Sequence, residues 1–308
     1  PSHYDEARWE PPSYKINGLP RYMDRLIARS IRFDKDHRFS TVHAFYSALE
    51  KGVSDKIGAR YSIAADALPR AVSANSLVYQ AVDTQTQKYV ALKKLLMPPI
   101  THYRSRQQEL RQSLEPMEAL KSLKHPGLVV LKDTLIEHDD AYVVMNWVDG
   151  RNLRDTLQKR AQKQGLLPEE VRQIGVQLAA VLSYIHKQGY VHGDIKPENI
   201  MLSEGWKVTL LDFMPWSKAE QDLSCKVPHT MRYMAPELLI DGGQSPDEAT
   251  DIFSLGVVMY ELLAHHFPYD IAQLREARLG QLLKPEPLPE DIPESLSRVV
   301  YQALSTNP

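Results

Sequence analysis

The sequence predicts an α+β fold in which a small β-rich part precedes a larger helical part, and three observations carry that expectation. Strand-like segments cluster between residues 60 and 148: "RYSIAADAL", "NSLVYQAVD", "KYVALKKLL", "LVVLKDTLIEH" and "AYVVMNWV". After Gly150 the pattern becomes amphipathic and helical, over residues 152–162 and 168–188. Residues 250–264, "TDIFSLGVVMYELLA", are apolar almost all round, as a buried helix requires. The join between the two parts falls near residues 146–151.

Each element has a local reason. The first three strand segments are separated by polar turns. "THYRSRQQELRQSLEPMEALKSLKH" is long, charged and helix-like, and Pro116 within it predicts a kink or the end of one helix. The last two strand segments form a hairpin around "HDD". "PEEVRQIGVQLAAVLSYIHKQG" carries Pro and Glu at its start and Gly at its end, the polarity of a capped helix. One repeat spans the chain. "LPRYMDRLIARSIRFDK" at 19–35 aligns with "IPESLSRVVYQALSTNP" at 292–308, matching Pro20 to Pro293, Met23 to Leu296, Arg25 to Arg298 and Ile31 to Leu304. Two unrelated amphipathic helices could share such generic residues; a duplication is the favoured reading.

At 308 residues the chain holds one large domain or two small ones. A hydrophobic content of 43% with 25% charged residues is ordinary for a globular protein. A formal net charge of −2 gives no field that would argue for nucleic acid or an anionic membrane. The single cysteine, Cys225, excludes an internal disulfide framework and suits a reducing cytoplasm, the expected location. No apolar run is long enough to span a membrane. The opening "PSHYDE" has neither an initiator Met nor a signal-peptide pattern, so the chain reads as a fragment whose parent could carry an anchor elsewhere.

The chemistry is concentrated in "VHGDIKPENIMLSEGWKVTLLDF", which sets Asp194, Lys196, Asn199 and Asp212 along a loop and a hairpin. Phosphoryl transfer needs positioned cations and a group that orients the hydroxyl nucleophile, with little covalent help from protein. A loop Asp can accept the hydroxyl proton, a Lys can neutralise the γ-phosphate, and an Asn with a second Asp can hold Mg²⁺. Any one of these residues alone would read as a solvated surface group. Together, with "DIKPEN" intact and Asp212 thirteen residues after Asn199, they form a constellation.

From about residue 60 to 308 the sequence resembles the eukaryotic-like (Hanks-type) serine/threonine protein kinases, with a bacterial character. "YVALKKL", "HGDIKPEN", "LLDF", "YMAPE" and "DIFSLGVVMYELL" occur in family order. The resemblance implies a bilobal fold, with residues 59–148 as the N-lobe and 149–308 as a C-lobe lacking its last helix. It implies that Lys93 meets the α- and β-phosphates of ATP, that Asp194 is the catalytic base, and that Lys196 contacts the γ-phosphate. Asn199 and Asp212 would be the metal ligands, with Mg²⁺ as the metal and Mn²⁺ able to replace it. Met145 would be the gatekeeper, Asn146 to Val148 the hinge, and Val78, Ala91 and Met201 the residues that sandwich adenine. Asn152 would meet the ribose. Thr230 would stand at the floor of the peptide site, and Glu237 would close the activation segment.

Four departures from the family pattern bear on activity. Ala71, Ser73 and Ser76 occupy the three positions of the phosphate-loop glycines, which predicts looser closure and weaker nucleotide binding. The family's helix Glu lies ten residues before the Pro of "HP", and that position is Pro116. A one-residue insertion would bring Glu115 into register as the partner of Lys93, Glu118 is the other candidate, and solvated glutamates are the remaining reading. Gly193 replaces the Arg that reads an activation-loop phosphate. Met214 and Pro215 replace and follow the usual glycine after Phe213, which predicts a stiffened strand end rather than a lost metal site.

Residues 1–58 look like the helical end of such a C-lobe, with Arg38 as the Arg that pairs with the Glu of "APE". Three readings stay open: the tail of an upstream kinase-like domain in a tandem protein, a permuted terminus supplying Arg38 to Glu237, or an unrelated linker. The expected function is transfer of the ATP γ-phosphate to a Ser or Thr hydroxyl of a protein substrate. A pseudokinase that docks partner proteins is the alternative, and a small-molecule kinase of the same fold is disfavoured by "YMAPE".

Overall fold

The computed structural model describes residues 21–31, 56–63, 68–73, 75–96, 103–137, 140–161, 166–213, 231–239, 245–270, 272–274 and 284–305, with scattered residues between 12 and 49. The chain divides into two compact units, one of residues 1–121 and 131–147, the other of residues 122–130 and 148–308.

The first unit is built on an antiparallel sheet of seven strands. They are β1 (Lys56–Ile57), β2 (Tyr61–Ser62), β3 (Ala71–Val72), β4 (Ser76–Asp83), β5 (Lys88–Leu95), β6 (Leu131–Glu137) and β7 (Asp140–Asn146). Their order is β1-β2-β4-β5-β7-β6, with β3 paired to β4. Alternation puts Val90, Leu92, Tyr142 and Val144 on one face, where they pack with Ile57, Tyr61 and Ala81. The Asp83 carboxylate, fully buried, anchors the β4–β5 turn: it accepts from Arg60 Nη2 at 2.7 Å, Gln85 N at 3.0 Å and Thr86 Oγ1 at 2.9 Å.

The helices α1 (Arg21–Ser30) and α2 (Tyr103–Leu120) belong to this unit, and α2 packs on β6 and β7. Pro116 lies inside α2; of the two expected outcomes, a kink or a helix end, the end does not occur. Leu110, Leu114, Met117 and Leu120 recur at helical spacing and are all buried, and that anchored face outweighs the one amide a proline removes.

The second unit carries the remaining elements. They are the helices α3 (Leu153–Ala161), α4 (Pro168–Lys187), α5 (Pro236–Leu239), α6 (Glu248–Ala264) and α7 (Glu294–Ala303), and a three-stranded sheet on which α3 and α4 pack. That sheet runs β10 (Lys207–Leu210), β9 (Ile200–Ser203), β8 (Arg151–Asn152). Pro168 opens α4, and Glu170 Oε2 takes the N–H of Leu167 at 2.9 Å. Asp247 caps α6 by accepting from Thr250 N at 3.1 Å. The α6 residues Val257, Val258, Tyr260 and Leu262 are fully buried, and α4 and α7 both pack on this helix.

The stretch "LVV" before β6 pairs elsewhere than the hairpin: Leu210 N–H donates to Gly127 O at 2.7 Å and Val129 N–H to Leu210 O at 2.9 Å. The two copies of the repeat fold as helices of ten residues each, α1 and α7.

Candidate active site

The loop between α4 and β9 carries Asp194 and Lys196, and its shape is imposed from below by a buried carboxylate. Asp251, on α6 with no exposed surface, accepts the His192 N–H through Oδ2 and the Gly193 N–H through Oδ1, each at 2.8 Å. His186 Nε2, from the last turn of α4, lies 2.8 Å from the same Oδ2. Gly193 stands at φ 73, where a side chain would be strained. His192 is fully buried; its Nδ1 accepts the Asp194 N–H at 3.2 Å and its Nε2 donates to Leu211 O at 2.9 Å. Phe213 stacks on the His192 ring at 5.6 Å and meets Tyr190 edge-on at 5.8 Å.

On this platform three of the expected residues meet directly. Lys196 Nζ donates to Asp194 Oδ2 at 2.6 Å, and Asn199 Nδ2 donates to Asp194 Oδ2 at 2.9 Å and to Asp194 O at 2.8 Å. Asp194 Oδ1 takes no hydrogen bond among the described residues, and the side chain is 37% exposed. Asn199 is 5% exposed, and with its amide N–H groups on Asp194 its Oδ1 is the remaining acceptor. Asn199 O receives the Leu211 N–H at 2.7 Å, which sets Asp212 next in line; Asp212 has φ 52, a conformation Asp tolerates.

An amide oxygen and a carboxylate are hard donors of the kind Mg²⁺ takes while keeping water and phosphate in its other positions. Among the described residues no group of three or more His, Cys, Asp or Glu could hold a metal by itself.

The hydrogen bond to Asp251 raises the pKa of His186 above the ordinary imidazole value, against the opposing effect of burial. A raised folded-state value stabilises the fold fully below the unfolded value of about 6.5, and that contribution is lost as pH rises through the folded value. Melting temperatures of wild type and His186→Asn, measured from pH 5.5 to 9, are expected to converge as pH rises; parallel curves would refute the linkage.

The other expected residues are placed as follows. Lys93 is buried on β5, opposite Val78 on β4 and Val143 on β7. Ala91 faces Met145 across the same ladder. Asn146 ends β7, and Val148 is half-buried at the start of the second unit. Met201 pairs with Asn152, whose Oδ1 accepts the Asp155 N–H at 2.7 Å and so caps α3. Ala71 is exposed, and the two serines bond each other: Ser73 Oγ lies 2.8 Å from Ser76 Oγ, while Ser73 N–H donates to Ser76 O at 2.9 Å. Glu237 accepts from Thr250 Oγ1 at 3.3 Å. Thr230, Met214 and Pro215 lie outside the described residues.

The expected helix glutamates require a correction. Glu115 is exposed on α2, and Glu118 takes Lys121 Nζ at 2.8 Å together with the Thr134 hydroxyl, so neither meets Lys93 among the described residues. The buried face of α2 runs through Leu114 and Met117, and that register turns both carboxylates to solvent.

Sequence reasoning missed a second cluster. Arg154, on α3, donates through Nε to Glu198 Oε1 at 2.8 Å, through Nη1 to Glu261 Oε1 at 2.5 Å, and through Nη2 to the Tyr233 hydroxyl. Tyr233 in turn donates to Glu261 Oε2 at 2.6 Å. Burial and the nearby Glu261 charge push the Tyr233 phenol far above its usual value, so it stays a donor. The available signal was the pair of acids, Asp251 and Glu261, inside an otherwise apolar helix, since buried charges require partners.

A protein kinase domain profile matches residues 74–308. A Clostridium perfringens protein named a probable serine/threonine-protein kinase is 28% identical over 248 residues, covering 76% of this chain and 34% of that protein. A Streptomyces coelicolor protein of the same description is 32% identical over 246 residues, covering 75% of this chain and 35% of that protein. The serine/threonine-protein kinase PknD of Chlamydia trachomatis is 29% identical over 270 residues, covering 75% and 28%. The chain thus spans about a third of the length of these relatives. No helix among the described residues is long and apolar enough to cross a membrane.

Proposed function

This chain belongs to the protein kinase family, and from that premise we propose that it transfers the γ-phosphate of ATP to a Ser or Thr hydroxyl of a protein substrate, with Mg²⁺ as the metal. The observation that carries this reading is the Asp194 carboxylate: Oδ2 is held by Lys196 and Asn199, while Oδ1 takes no hydrogen bond among the described residues. A carboxylate fixed on one side and open on the other can orient a hydroxyl and accept its proton as the oxygen attacks phosphorus. Lys196, 2.6 Å from that carboxylate, would bring its positive charge to the transferred phosphoryl group. Asn199 Oδ1 and Asp212 would hold the metal, which when bound would neutralise charge on the phosphate oxygens. Lys93 would meet the α- and β-phosphates. The names of the relatives, each a serine/threonine-protein kinase, support a protein substrate.

A second reading, a nucleotide-binding scaffold without transfer, is favoured by the two exposed glutamates and by the serine hydroxyls that bond each other in the phosphate-loop positions. Transfer of radiolabelled γ-phosphate to the chain itself and to a generic basic protein separates the two. Asp194→Asn is expected to lower the rate at least about 100-fold, the usual scale for a positioned base. Equal labelling by wild type and variant would sink the enzyme reading.

A further inference from the structure

The Arg154 guanidinium sits where four elements of the second unit meet. It starts on α3, and its three donor directions end on the 3₁₀ turn Pro197–Asn199, on α6, and on the segment before α5 that carries Tyr233. Glu261 is 6% exposed and Tyr233 2%, so two of these partners lie in the core. The third, Glu198, is the residue immediately before Asn199. In a 3₁₀ turn successive side chains point about 120° apart. One therefore reaches Arg154 while the next reaches Asp194.

We propose that Arg154 is a positioning residue for the phosphotransfer site: by gripping Glu198 it fixes the turn that aims Asn199 at Asp194 and at the metal, and by gripping Glu261 and Tyr233 it secures that turn to the core. The metal-binding part of this inference rests on the phosphotransfer reading above; the effect on the turn does not. A guanidinium suits the task because its planar fork meets three acceptors at once, which a lysine ammonium on a flexible stem does not reproduce. Burial works against the charge, yet the hydrogen bonds with Glu261 and Glu198 hold Arg154 cationic. Outer partners of this kind act on metal affinity by orienting the ligand rather than by touching the ion.

The test compares Arg154→Met, Arg154→Lys, Glu198→Ala and the Arg154→Met/Glu198→Ala double variant. Glu198 is 35% exposed in its side chain, so its removal cuts the grip on the turn without opening the core. Amide hydrogen exchange over residues 194–200 is expected to speed up in all four variants, with the double variant no faster than Arg154→Met, because the two residues act as one connection. The Mg²⁺ concentration for half-maximal phosphate transfer is expected to rise about tenfold, the lower end of the usual effect of an outer ligand partner, with the KM for peptide unchanged. Full recovery by Arg154→Lys, unchanged exchange over 194–200, or exchange effects that simply add in the double variant would overturn the proposal. A wild-type chain without transfer would defeat the kinase reading alone, since the exchange pattern is measured without turnover.

Discussion

Asp251→Asn is expected to cost about 3–5 kcal/mol of stability and to release the catalytic loop. Both carboxylate oxygens accept a backbone N–H, from His192 and Gly193, and one also faces His186. An asparagine has one oxygen for these donors and turns an N–H₂ group toward another. A buried N–H left without an acceptor costs about 1–3 kcal/mol, and breaking a buried pair with a charged partner costs about 3–5 kcal/mol. The Tm should fall by roughly 10 °C, at about 2–4 °C per kcal/mol for a domain of this size. Exchange of the His192 and Gly193 amides should accelerate, and phosphate transfer should fall with it. His186→Asn in the same chain should recover part of the loss, by removing the imidazole that the lost charge leaves unpaired. A variant with the wild-type Tm and protected loop amides would show that Asp251 is not what holds the loop.

How far this arrangement was legible depends on the range over which each contact is encoded. The strands β4, β5 and β7 and the helices α4 and α6 announce themselves through alternation, 3.6-residue periodicity and caps, all local properties. The meeting of Asp194, Lys196 and Asn199 was legible because their spacing within one loop is itself the signal. The two-residue strands β1 and β3 were not, since an edge strand that short has no period to detect. At Pro116 the sequence left a kink and a helix end both open, because a local rule about a missing amide competes with tertiary burial of Leu114 and Met117, and the helix does not end there. Asp251 and Arg154 were missed for the same reason in reverse. Their partners lie 59 and 107 residues away in the chain, so no window of sequence contains both ends of the contact. Only the cost of burying Asp251 and Glu261 on an apolar helix pointed to them.

Gly150→Ala is expected to be the most damaging small substitution near the site, at about 3 kcal/mol or more. Gly150 has φ 154, a region essentially reserved for glycine, and an added Cβ would lie 2.3 Å from Leu202 O and 2.9 Å from Leu202 C. Those atoms are backbone, so no rotamer change makes room; β8 or β9 must move. The two strands are joined through Arg151 opposite Leu202 and Asn152 opposite Met201, and Ser203 Oγ adds a bond to Asp149 O at 2.5 Å. β9 begins at Ile200, directly after Asn199, so displacing it carries the strain to the carboxamide that holds Asp194. Gly189→Ala supplies the control: φ is 80, yet nothing lies within 4 Å of its Cβ, so only the backbone penalty of about 1 kcal/mol applies. Thermal unfolding of the two variants should therefore separate steric from conformational cost, with Gly150→Ala melting well below Gly189→Ala and losing phosphate transfer at temperatures where both remain folded. Equal melting temperatures would mean that the β8–β9 ladder yields to the extra methyl and does not fix the position of Asn199.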